Sequence, residues 1–243
     1  MGDGQLGWSS GGLSCRDALT VASGFYDRIM TEGVRRQRGR PRRDEPAAEA
    51  DDVLSAALHA FAVHGYHGVS VRTLNRELGV SHNALHQRFG SKEAVWYAAV
   101  DWGFGGLVSA LLAGDDAAAD GVERLRVFVR TFVAYCARRP DLQRVINFEA
   151  GEGGARLTYL LSQYVAPVVR WFEPLYDELV AAARIRAVPK ELFYTMVTAG
   201  GGTLFSNAAA ARQLFGDGVL GDDAVEEYAA AAADFVVGGL VNG

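Results

Sequence analysis

Between Ser81 and Gln87 the chain sets Ser81, His82, Asn83, His86 and Gln87 close together. A side-chain amide donates and accepts at once, so Asn83 and Gln87 can each make a paired hydrogen bond with a base edge in a DNA major groove. A helix face meant only for solvent carries Lys and Glu pairs more typically than this set. His82 and His86, four apart, also have the spacing of a metal-binding pair on a helix. No nearby carboxylate or cysteine completes such a site, so neither metal nor cofactor is expected.

These groups need a platform, and Ser70 to Phe89 supplies its pattern. Val71, Leu74 and Leu78 recur at helical spacing while Arg72, Asn75, Arg76 and Glu77 stay polar, which predicts one apolar face on a short helix. Gly79 closes it, Val80 anchors a turn and Ser81 caps the next helix. In that second helix Leu85 and Phe89 face inward, leaving His82, Asn83, His86 and Gln87 outward. The result is the layout of a DNA-reading helix-turn-helix. A preceding helix over 47–64, ended by Gly65, shares the core through Leu54, Leu58 and Phe61 with Leu74, Leu78, Leu85 and Phe89. Ser91 caps a fourth helix, and Lys92 stands where it can reach a phosphate. Gly103, Gly105 and Gly106 in that helix fit either a hinge or close packing against a neighbour.

Bulk properties agree with a folded chain: 243 residues, 49% hydrophobic and 22% charged. Two cysteines, Cys15 and Cys136, form no disulfide framework and suit a reducing cytoplasm. No apolar run of membrane-spanning length stands out, so no membrane partner is expected. The net charge of −5 hides an asymmetry, because residues 34–100 carry ten Arg and Lys against seven Asp and Glu. Val34 to Arg43 alone holds six arginines and no acid. Its centre, Arg38-Gly39-Arg40-Pro41, resembles an AT-hook core, which would lay Arg38, Arg40 and Arg42 along a minor groove. A solvated arm making loose phosphate contacts is the plainer alternative.

The run GYHGVSVRTLNRELGVSHNALHQRFGSKEAV, within residues 47–100, resembles the TetR family of bacterial transcriptional regulators. The glycine-valine-serine turn, Phe89 closing the reading helix and Ser91-Lys92-Glu93 carry the likeness. It implies that Ser70, Arg72 and Thr73 face the DNA backbone, that Ser81, His82, Asn83, His86 and Gln87 meet bases and phosphates, and that Lys92 anchors a phosphate. Two departures stand out. His86 replaces a usual tyrosine, and Asn75 replaces a small residue between the first motif helices.

The rest of the chain has helical patterning over 122–138, 141–150, 155–183, 189–214 and 224–237, with no strand-like alternation. An all-α fold follows: residues 1–33 as a disordered extension, 34–46 as a basic arm, 47–107 as the DNA-binding domain and 108–243 as a helical effector-binding and dimerisation domain. Pro167 and Pro174 are expected to kink or divide the long segment. Aromatic residues interleaved with polar ones suit a small-molecule pocket: Phe128, Thr131, Phe132, Tyr135, Asn147, Phe148, Glu149, Gln163, Trp171, Tyr194 and Thr198. A buried Glu149 would need a partner, with Arg130 and Arg144 the internal candidates. A homodimer face is expected from Leu204, Phe205, Ala208, Val225, Ala229, Phe235 and Val236.

The expected function is a ligand-responsive repressor, binding a near-palindromic double-stranded DNA operator as a homodimer and released by a small-molecule effector. The alternatives are a DNA-binding regulator or DNA-organising protein without an effector, and, more remotely, an enzyme. No Ser/His/Asp set, phosphate-cradling loop or paired catalytic carboxylates occur at catalytic spacing.

Overall fold

The computed structural model describes residues 47–77 and 84–241. Helix α1 (Ala47–Gly68) bends at Gly65, followed by α2 (Val71–Glu77) and α3 (Ala84–Phe89). Gly65 has φ 66° and ψ 167°, a backbone region essentially confined to glycine, so the expected terminator breaks the helix there and one more turn follows. Helix α4 (Lys92–Gly114) starts where Ser91 Oγ accepts the Ala94 N–H at 3.1 Å, a side-chain N-cap.

The remaining helices are α5 (Gly121–Arg138), α6 (Asp141–Glu152), α7 (Ala155–Leu160), α8 (Ala166–Ala181), α9 (Lys190–Thr195), α10 (Gly201–Ser206), α11 (Ala208–Phe215) and α12 (Asp222–Gly238). No strand is formed among the described residues, only an isolated bridge between Ile185 and Val241. The fold is all-α, as the patterning predicts. Two π-helical turns, Leu161–Val165 and Met196–Gly200, join α7 to α8 and α9 to α10. The first precedes Pro167, so the long segment stays helical through the proline rather than dividing at it. The segment expected as one helix from 189 to 214 is divided instead, since Asn207 leaves helical geometry between α10 and α11.

Two large apolar cores result, with a small third cluster of Ala137, Phe205 and Val225. The first joins α1 to α4 with Leu142, Val145, Leu160 and Tyr164 and is centred on Trp96, Phe61 and Leu74. The second joins α5, α8, the α9–α10 region and α12 around Leu125, Val129, Val133, Phe172 and Ala233. Phe128, Phe132 and Trp171 are partly buried and pack against both.

Helix α4 runs without a break through its three glycines, spanning the boundary placed at residue 107. A Cβ on Gly103 would stand 2.7 Å from Leu142 Cδ2 and 2.9 Å from Leu58 Cδ2, and one on Gly106 would collide with the Tyr135 hydroxyl. Close packing is therefore the role of both glycines, and the hinge reading is corrected. By length and composition α4 is apolar enough to cross a membrane. Its apolar residues, including Val95, Trp96, Ala99, Phe104 and Leu107, are buried against the other helices.

Candidate nucleic-acid interface

At the entry to α2, Ser70 Oγ accepts the Thr73 N–H at 3.0 Å and lies 2.9 Å from Thr73 Oγ1. Ser70 thus caps α2, with both hydroxyls at the surface where the helix N-terminus favours anions. Arg72 and Arg76 beside them are exposed. Leu74 and Leu85 are 0% and 3% exposed, and these two anchors press α2 and α3 onto α1 and α4. Leu58 and Phe61 are buried in the same core, while Leu54 and Phe89 are only partly so. Asn75 is buried at 5% exposure, so the space between the motif helices accepts this larger side chain.

Gln87 and Arg88 face solvent on α3. Arg88 was not singled out in the sequence; its guanidinium lies 5.5 Å from the Phe89 ring centroid. Arg38, Arg40, Arg42, Leu78, Ser81, His82 and Asn83 lie outside the described residues, as does the side chain of His86.

Lys92, expected as a phosphate anchor, is engaged within the chain itself. Its Nζ donates to Tyr66 O at 3.1 Å and Val69 O at 3.0 Å, and lies 4.2 Å from the Tyr66 ring centroid. These carbonyls close the C-terminal end of α1, where a cation is favourable. Lys92 therefore locks the α1–α2 linker to the start of α4.

Behind this module the pocket candidates scatter. Phe128 and Trp171 meet at 5.8 Å between ring centroids, and Phe132 joins them at the seam of the two cores. Tyr135 instead donates to Gly103 O at 3.2 Å, tying α5 to α4. Asn147 is exposed and accepts from Gln143, and Gln163 is exposed beside Ser162. Tyr194 is exposed, with Thr198 donating to its carbonyl at 2.8 Å. Thr131 is partly buried facing Gly114.

Phe148 packs its ring on Gly65 of α1 and Glu149 is 2% exposed. Glu149's partner is neither Arg130 nor Arg144. Arg156 Nε donates to both Glu149 carboxylate oxygens at 2.9 Å, while Arg130 pairs with Glu226 and Arg144 with Asp141. The two residues stand seven positions apart across a Gly-Gly turn, a spacing that by itself does not set Arg156 above the other arginines.

A second polar joint sits on α4. Asp101 Oδ1 accepts the hydroxyls of Tyr159 at 2.7 Å and Tyr164 at 2.5 Å. Burial pushes the Asp101 carboxyl above its ordinary range despite these two bonds, and burial followed by the adjacent carboxylate raises both tyrosines. Cys136 is buried, which pushes its thiol up to about 12 and leaves it unreactive.

The dimer-face candidates divide. Phe205, Val225 and Ala229 are 3%, 3% and 0% exposed inside the protomer, so they are core rather than contact residues. Leu204, Ala208 and Val236 are partly buried, and Phe235 is 79% exposed. Residues missed in the sequence lie exposed on neighbouring elements: Met196, Leu214 and Phe215. Their exposure alone marks them, because in the sequence they match ordinary core positions. An apolar groove of about 360 Å³ runs between the Met196–Gly200 turn and α12, floored by Val129 and Val133 and flanked by Phe235.

A three-helix head with a capped helix-turn-helix, carried on a larger helical body, defines the class of helix-turn-helix DNA-binding regulators. Residues 53–99 match the family described as bacterial regulatory proteins, tetR family, and residues 122–236 match a Tetracyclin repressor-like C-terminal domain. The chain belongs to the TetR family. It is similar to the HTH-type transcriptional repressor AcnR of Corynebacterium efficiens, 38% identical over 55 residues, which is 23% of this chain and 29% of that protein. The chain thus spans less than a third of that relative. A tetR-family regulatory protein from Rhodococcus RHA1 shares the fold with a TM-score of 0.64 at 18% identity, covering 82% of this chain and all of the other. FadR from Bacillus subtilis, solved in complex with stearoyl-CoA, aligns with a TM-score of 0.57 at 15% identity over 77% of this chain and 97% of FadR.

Proposed function

We propose that this regulator is a homodimeric repressor that reads a near-palindromic operator and leaves it when an apolar small molecule binds the helical body. The observation that carries the DNA reading is the head itself. Leu85 roots α3 in the core while Gln87 and Arg88 point to solvent, so a rigid platform presents hydrogen-bonding groups at groove scale. One such helix contacts few base pairs, and a two-fold pair extends the site and its specificity. The exposed Phe235 and Met196 along the apolar groove support pairing through α12 and the α9–α10 turn.

Phe128, Phe132 and Trp171 support effector binding, because they line the seam of two cores that are each otherwise separately packed. A ligand wedged at that seam would favour a conformation with wrongly spaced heads, shifting the population off DNA. FadR, which shares the fold, was solved with stearoyl-CoA, a ligand with a long apolar tail, and this supports the reading. The protein would act in the cytoplasm, where it meets the chromosome.

Selection of bound duplexes from random DNA by the full chain tests the reading, with two half-sites about one helical turn apart expected. Asn83→Ala with Gln87→Ala should then weaken the selected duplex by about 1–3 kcal/mol per lost base contact and leave random duplex nearly unchanged. Equal loss on both DNAs would remove base readout from the proposal.

A further inference from the structure

The regulatory body touches the reading head at a point that neither the DNA contacts nor the seam explains. The last turn of α1, after its bend, is held from both halves of the molecule at Tyr66. Lys92, from the head, grips its carbonyl and lies over its ring; Arg156, from the body, places its guanidinium 3.9 Å from the same ring centroid. Arg156 is itself fixed, since its Nε donates to both oxygens of Glu149. The two side chains are 17% and 3% exposed, so little water is available to replace either partner.

The backbone is built for this pairing. Gly153 and Gly154, at φ 73°, ψ −164° and φ 85°, ψ −161°, turn the chain through conformations open essentially to glycine alone. That turn folds α7 back so that Arg156 meets Glu149. A charge-assisted bond to a buried carboxylate removes the freedom of the guanidinium, and a desolvated cation is held firmly over an aromatic face. Displacing the α6–α7 turn would therefore carry Tyr66 with it. Tyr66 and Val69 lead directly into Ser70 and α2, so the placement of the reading helices follows.

We infer that Arg156, clamped by Glu149, is a positioning residue: it registers the DNA-reading head against the regulatory body through the ring of Tyr66. The inference rests on the proposed DNA reading and extends it to residues that touch no DNA.

The test uses the full chain, the duplex that the wild type selects and a shuffled duplex of equal length. The variant is Glu149→Gln with Arg156→Gln, which leaves no lone buried charge. It should lose about tenfold in affinity for the selected duplex and change by less than about twofold on the shuffled one. Arg156→Lys, which keeps a cation without the planar fork, should fall between variant and wild type. Tyr66→Leu should reproduce the loss and add little to the double variant, because all three residues serve one contact. Wild-type affinity for the selected duplex, equal loss on both duplexes, or additive losses would each overturn the inference. If thermal melts show that the double variant is unfolded, Tyr66→Phe against Tyr66→Leu decides: the inference requires Phe to bind like wild type and Leu to bind weakly, and equal behaviour overturns it. A wild-type chain that selects no sequence overturns the proposed function and this inference with it, whereas a selecting wild type matched by its variants overturns the inference alone.

Discussion

Around Trp96 the helices close on every side, and polar joints tie the closure together; around Val133 they part to leave a groove. Trp96, Leu74 and Phe61 are each at most 1% exposed. The Asp101–tyrosine and Glu149–Arg156 contacts seal the flanks of that core. Val133 is equally buried at 0%, yet Gly201 packs on it so closely that a Cβ would lie 2.5 Å from Val133 Cγ2, and beside this contact the groove opens. Phe235 stands at its edge, 79% exposed. The first region holds one arrangement of helices. The second leaves apolar surface uncovered, which the proposed homodimer would bury.

Removing the side chain at the centre of the closed region should have the largest effect. Trp96→Ala is expected to lower stability by about 3–5 kcal/mol, read from urea denaturation, because the surrounding helices cannot collapse into the space. A loss under about 1 kcal/mol would mean that the core is more plastic than its burial suggests.

At the open region the same measurement should barely move. Phe235→Glu is expected to change protomer stability by no more than about 0.5 kcal/mol, as for other exposed positions, while sedimentation shifts toward the monomer. An unchanged dimer would place the association face elsewhere, with Leu214 and Phe215 the next exposed apolar pair.

The smallest expected effect concerns the polar joint and depends on pH. Asp101 has a folded pKa raised by burial, so the native state binds its proton more tightly than the unfolded chain does. That contribution is fully present below the unfolded carboxylate value, about 4, and is lost as pH rises through the raised folded value. Asp101→Asn removes this titration. Its thermal midpoint relative to wild type should therefore improve between pH 4 and pH 7 by a few degrees at most, and a parallel pH response in both proteins would assign the slope to other groups.

Much of the head was legible because its signals are local. The anchors Leu74 and Leu85, the cap at Ser91 and the break at Gly65 each depend on near neighbours in the chain, whereas Val71, expected on the same apolar face, is 38% exposed because it opens its helix at the surface. Lys92 was legible at its helix end, but its bonds within the chain were not, because its acceptors lie 23 and 26 residues away. The body was harder to read. Aromatic residues in a helical pattern look alike whether they fill a core, as Phe205 does, or face solvent, as Phe235 does. The glycines of α4 were ambiguous for the same reason, since Leu58, Tyr135 and Leu142 press on them from other helices.

The sequence by itself determined the all-α class, the helix-turn-helix head and the basic character of its surroundings, because periodicity, capping and charge are written in consecutive residues. Only the tertiary structure decided that Glu149 pairs with Arg156, that Tyr66 joins head to body, and that Val225 and Ala229 are interior while Phe235 is not. Those outcomes depend on which helix faces meet. Helix periodicity fixes that each helix has an inner face, and only the packing of many helices fixes what that face touches.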